Sequence, residues 1–168
     1  MTKFSVRNVS TSTVPTSAEN IWGVITDPAR LAAATPILRS IEVADPYWIW
    51  RLRPIEALGV TLEAELTERM RFTEHRLIGF EHAPPAGVRE RVGVDGAYEL
   101  APSSDSSTDL KIDLTLSVDA PLPGVAARPL EAAVRAAMRS AGQRFAQNLY
   151  EQLGLDPATV TIDEHEVV

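Results

Sequence analysis

Three side chains in this sequence are of a type, and in a setting, to support acid–base chemistry: Glu68, His82 and Tyr98. Glu68 interrupts an apolar stripe that runs through Val60, Leu62, Ala64 and Leu66 and resumes at Met70 and Phe72. A buried, unpaired carboxylate is costly, so either the strand has left the core by this point or Glu68 pairs with an arginine. The strand-end reading is the simpler. Held inside an apolar site, the same group would have a raised pKa suited to a general acid or base. His82 also sits near the end of its strand, where it is expected to face solvent. Tyr98 is a phenol on a strand face shared with Val94, Gly96 and Leu100. Its hydroxyl needs a partner if buried, more often a backbone group or water than a ligand.

Other chemistries find no residues to carry them. There is no cysteine, which removes disulfides, thiolate metal sites and cysteine nucleophiles. The three histidines, His75, His82 and His165, show no metal-ligand spacing, and no metal site is expected. Gly93 and Gly96 lie in a strand pattern rather than a phosphate loop, so no cofactor is expected. A net charge of -7 argues against nucleic acid as a partner. The N-terminus has no apolar leader, and no window reaches the roughly 18 apolar residues of a membrane span, which implies a cytoplasmic protein.

The 168 residues, 45% hydrophobic and 23% charged, suit one globular domain. Lys3 to Val14 reads as a first strand ending at Pro15. Two short helices follow, one introduced by Thr16-Ser17 and stopped at Asp27-Pro28, the other running from Ala29 to Ala34. Beyond Pro36 the period becomes two. Strands are predicted at Leu38 to Val43, Tyr47 to Arg53, Val60 to Thr67, about Arg76 to His82, Glu90 to Leu100 and Asp109 to Asp119. The run Pro102 to Ser107 reads as a flexible hairpin loop. After Pro121-Leu122-Pro123-Gly124, the spacing of Leu130, Val134, Met138, Ala141, Phe145, Leu149 and Leu153 predicts a long amphipathic helix ending at Gly154. Residues 1–154 form the expected domain and 155–168 an acidic, flexible tail. Sequential strands with helices gathered at their ends make an α+β layout.

That order, together with Ser17-Ala18-Glu19-Asn20-Ile21-Trp22 leading to Asp27-Pro28, Trp50-Arg51-Leu52-Arg53, and Gly96-Ala97-Tyr98-Glu99-Leu100, resembles the START-like (SRPBCC) superfamily in its polyketide cyclase/dehydrase-like branch. The resemblance spans about Phe4 to Leu153. It implies a helix-grip fold: a curved antiparallel sheet of about seven strands wrapped around the C-terminal helix, enclosing a cavity for apolar molecules. Alternation then nominates the wall. Trp48, Trp50 and Leu52 share a face with Leu62 and Leu66, and with Ile78 and Phe80 if the hairpins hold register. Tyr98, Leu114 and Leu116 continue it, and Val134, Met138 and Phe145 face it from the helix.

The expected function is binding or transport of a small hydrophobic molecule such as a lipid, isoprenoid, quinone or aromatic polyketide. The alternative is a cyclase/aromatase acting in the same cavity, although no polar set here matches such a site position by position. A third reading is an accessory protein that handles quinones through transient membrane contact. The sequence leaves monomer and homodimer open.

Overall fold

The computed structural model describes residues 2–57 and 60–166. Strand β1 (Thr2–Val14) is followed by helix α1 (Ala18–Ile25) and helix α2 (Pro28–Ala34). Both helices start where their side chains dictate. Ser17 Oγ accepts from the Asn20 N–H, and Asp27 Oδ1 accepts from the N–H groups of Ala29 and Arg30, with Pro28 preset for the first turn. Then come β2 (Leu38–Ala44), β3 (Tyr47–Leu52), β4 (Ile55–Ala57), β5 (Val60–Leu62), β6 (Glu65–Thr73), β7 (Leu77–His82), β8 (Val92–Ser104) and β9 (Ser107–Ala120). Helix α3 (Ala127–Gln152) and a last short strand, β10 (Asp163–Glu166), complete the chain.

The main sheet has eight strands in the order β10-β1-β9-β8-β7-β6-β3-β2, all neighbours antiparallel. This is the expected helix-grip arrangement of a curved sheet and a long C-terminal helix. Two devices keep β8 and β9 close. A Cβ on Gly96 would lie 2.0 Å from the Asp113 carbonyl oxygen, so only glycine fits there. Ser103 and Ser104 both bond Ser107 through their hydroxyls, closing the hairpin tightly where a flexible loop is predicted.

Two other expectations are corrected. The single strand predicted from Val60 to Thr67 is broken: Val60–Leu62 pairs with Ile55–Ala57 in a separate ribbon, and β6 starts only at Glu65 and runs on to Thr73. The acidic tail also contributes a strand, because Asp163 to Glu166 pair with Thr11 to Asn8. Strand addition at an edge uses backbone groups, which the charged side chains do not announce.

The inner face of the sheet carries the core. Val14, Ile21, Leu31, Leu38, Leu66, Ile78, Phe80 and Leu149 are almost fully buried. Helix α3 is held unevenly. In its C-terminal half Phe145, Leu149 and Tyr150 are buried, whereas Leu130 alone is buried in the N-terminal half. No helix among the described residues is long and apolar enough to cross a membrane.

Candidate functional site

Between the sheet and α3 lies a cavity of about 110 Å³. From the sheet, Trp50 and Leu52 of β3 and Val94 and Tyr98 of β8 line it, with Leu110, Ile112, Leu114 and Leu116 of β9. Helix α3 supplies Met138, Ala141, Gly142, Phe145, Ala146, Leu149 and Tyr150. Thr35, Ile37 and Leu38 close it near α2, and Ile162 reaches it from the C-terminal segment. Gly142 faces open space, since a Cβ there would meet nothing within 4 Å.

Of the residues nominated from alternation, Trp50, Leu52, Tyr98, Leu114, Leu116, Met138 and Phe145 stand on this wall. Leu66, Ile78 and Phe80 share the inner face but are packed into the core beside it. Trp48 sits farther along β3, its ring 5.7 Å from Phe72. Val134 packs in a smaller cluster with Val118, Ala120 and Leu130. The Leu62 side chain lies outside the described residues.

The wall also contains a polar stripe that the pattern reading did not pick out. Asn8, Ser10 and Ser12 line the cavity from β1. They are in phase with Phe4, Val6 and Val14, which was the available signal: polar residues continuing an apolar face.

An aromatic row crosses the site. Trp50 and Phe80 have ring centroids 5.3 Å apart, Phe80 and Tyr98 5.6 Å, and Tyr98 stacks on Phe145 at 5.9 Å with ring planes only 4° from parallel. Burial pushes the Tyr98 phenol well above its usual range. The Trp50 indole N–H is buried without a hydrogen-bond partner.

Glu68 is not at a strand end. It lies in the middle of β6, opposite Trp48 on one side and His82 on the other, and is completely buried. Oε1 accepts one long bond, 3.4 Å, from the Val94 N–H, and Oε2 has no partner. No arginine pairs with it among the described residues. Burial, assisted by the charges of Asp95 and Glu90, pushes its pKa up to about 9. The group is therefore a neutral carboxylic acid at pH 7, and it is not part of the cavity wall.

His82 turns elsewhere. Its Nε2 lies 2.7 Å from Glu90 Oε2, and its ring rests on Gly93, where a Cβ would come within 2.3 Å of Nδ1. Glu90 also accepts from the N–H and hydroxyl of Thr67, at 2.9 and 2.7 Å. This nest borders a second, wider hollow reached by Lys3, Arg89 and Asp119. Glu68, His82 and Tyr98 thus do not converge. Nor does any group of His, Asp and Glu among the described residues have the geometry to hold a metal ion.

Comparison with known proteins agrees with this architecture. A conserved protein from Geobacillus kaustophilus superposes with a TM-score of 0.67 at 15% identity, covering 94% of this chain and 99% of its own. A START superfamily protein from Mycobacterium smegmatis gives 0.63 at 17% identity, with 88% and 97% covered. The Zhui aromatase/cyclase from Streptomyces gives 0.57 at 17% identity, with 90% and 92% covered. These likenesses concern the fold. No curated protein matches the sequence. The family model described as polyketide cyclase/dehydrase and lipid transport, however, aligns with residues 5–151, nearly the whole gripping sheet and its helix, and the chain belongs to that family.

Proposed function

We propose that the protein binds a small hydrophobic molecule between the sheet and α3 and acts as a carrier or binding module. The observation that carries this reading is the cavity itself, whose walls are mostly hydrocarbon and aromatic. Burial of apolar surface at roughly 25 cal/mol per Å² provides the affinity, and few polar contacts are needed. A dry cavity of about 150 Å³ accepts benzene, so the free space here is on the scale of one small ring. Larger ligands require α3 to shift, which its lightly buried N-terminal half favours.

Binding is preferred over turnover because, among the described residues, the wall offers no general base. Its only titratable groups among those residues are the phenols of Tyr98 and Tyr150, both raised by burial. The cyclase reading keeps one support, the family description, with Tyr98 as the acid it would use.

The test is titration of p-xylene, followed by calorimetry, into the parent and Gly142→Leu. Gly142 is exposed where it borders the cavity, and the substitution adds bulk at that rim while favouring the helix. One-to-one binding that weakens at least tenfold in the variant, with thermal stability kept, is expected. Equal affinity for both proteins would place the ligand elsewhere. Turnover of a polyketide by the parent, lost in Tyr98→Phe with binding kept, would favour the cyclase.

A further inference from the structure

We propose that the hollow bordered by Lys3, Arg89 and Arg91 is a second binding site, separate from the apolar cavity, and that its ligand is a phosphate monoester of a small polar molecule. The proposal goes beyond the binding role of the cavity and does not depend on it. The hollow has a volume of about 570 Å³, and its sheet residues include Lys3 and Ser5 of β1, Gly93 of β8, and Ser117 and Asp119 of β9. Register sets these five on the face turned away from the cavity. Lys3 lies opposite Asp119, and Ser117 lies between Ser5 and Gly93, whereas the cavity-lining Val94 and Leu116 face each other at the alternate positions.

The chain carries a net charge of -7, yet this hollow gathers three exposed cations, one from β1 and one from each side of Glu90. They converge on a single carboxylate. Arg89 Nη2 donates to Asp119 Oδ2, and Lys3 Nζ lies 3.9 Å from the same oxygen. The Arg89 hydrogen bond, with the charges of Arg89, Lys3 and Arg91, holds the Asp119 carboxyl below the usual carboxylate range. Arg91 has no ion pair of its own among the described residues. The other carboxylate of the hollow, Glu90, is turned to Thr67 and His82, and its side chain is 7% exposed. Guanidinium and ammonium groups each carry several N–H donors, and one shared carboxylate oxygen satisfies few of them.

Those open donors define the ligand. Cations held near one another repel, and an anion placed among them removes that cost. Donors that approach from several sides suit a tetrahedral oxyanion, and the planar forks of two arginines match phosphate oxygens in pairs. The space is far larger than a bare phosphate, so the group arrives on a larger molecule. The rest of the wall is mostly polar. The Ser5 and Ser117 hydroxyls bond each other at 2.9 Å, and His82, with Nε2 on Glu90, keeps its second ring nitrogen without a partner among the described residues. Hydroxyl groups on the carbon part of the ester find donors and acceptors there.

Glucose 6-phosphate, inorganic phosphate and glucose, each titrated calorimetrically at low ionic strength, separate the parts of the proposal. Glucose 6-phosphate is expected to bind one to one, inorganic phosphate more weakly, and glucose not at all. Arg91→Gln should weaken glucose 6-phosphate by about tenfold. The side chain is exposed and does not line the cavity, so p-xylene affinity should stay within about twofold of the parent.

A second measurement needs no substitution. In ¹H–¹⁵N spectra of the parent, the amide peaks of Gly93 and Ser117 should move with glucose 6-phosphate, and those of Phe145 and Leu149 should stay. Sodium chloride at matched ionic strength should leave all four in place. Equal affinity in the parent and Arg91→Gln, or the same movements with sodium chloride, overturns the site. Binding of inorganic phosphate without glucose 6-phosphate, or of glucose as tightly as its phosphate, overturns the assigned ligand class. Failure of both phosphates to bind overturns the proposal whole, and the p-xylene titration still decides the cavity on its own.

Discussion

Glu68, within β6, and Glu90, in the loop between β7 and β8, are carboxylates held against the same sheet in opposite ways. Glu90 reaches the Thr67 side of β6 and collects three donors: the Thr67 N–H, the Thr67 hydroxyl and His82 Nε2. Glu68 projects from the next residue, hence to the other face, and receives one long bond. A carboxylate can be buried as an ion if donors surround it; without them it must keep its proton. Glu90 meets β6 at Thr67 and Glu68 projects from the opposite face, and the donors available on each face decide which solution applies.

The largest test of that contrast is pH. Glu68 holds its proton in the folded state up to about 9 but releases it near 4.5 when unfolded. Between those values the folded form binds the extra proton, so stability falls as pH rises, by roughly 1.4 kcal/mol per unit from this group. From pH 5 to pH 8 the loss is about 4 kcal/mol. Urea unfolding across that range should show the decline in the parent and a much flatter profile in Glu68→Gln. Parallel profiles would mean that Glu68 is ionised and the contrast with Glu90 is false.

Next in size is Glu90→Ala, which strands three donors and should cost about 3 kcal/mol in the same assay. A loss below about 1 kcal/mol would show that water replaces the carboxylate easily. Smaller again is Gly93→Ala. Its methyl group would displace the His82 ring from Glu90 and remove one of the three bonds, for about 1 to 2 kcal/mol. Loss of the His82–Glu90 contact is readable from the imidazole resonances.

The smallest effect sharpens the comparison most. Burial outweighs the Glu90 charge in raising Glu68, so Glu90→Gln should lower the Glu68 midpoint only slightly. Carbon-detected titration of the Glu68 carboxyl reads it directly. A return to the ordinary carboxylate range would make charge repulsion, not burial, the cause.

The sequence made the architecture legible where side chains alternate cleanly, as from Leu110 to Val118, or recur at three and four residues, as from Leu130 to Leu149. It misled where the chemistry of one residue was allowed to outvote its phase. Glu68 is in step with Leu66 and Met70, and all three are buried; the phase was right and the cost argument wrong, because it took the carboxyl to be ionised. Asn8, Ser10 and Ser12 were passed over for the same reason. The separation of cavity wall from solid core lay beyond pattern. Trp50 and Trp48 share a strand face, yet Trp50, beside Phe80, stands on the wall and Trp48, beside Phe72, stands off it.

Strand β10 bears on how these molecules behave in company. An open sheet that grips a helix cannot close on itself, so its outer strands offer unpaired backbone groups to any neighbouring chain. On the β1 side, β10 occupies the stretch from Asn8 to Thr11 and itself displays exposed Asp163, Glu164 and His165. A second copy pairing there through the same strand would set its own acidic segment alongside this one. The exposed charge of Asp163 and Glu164 thus makes this edge a poor template for further strand addition.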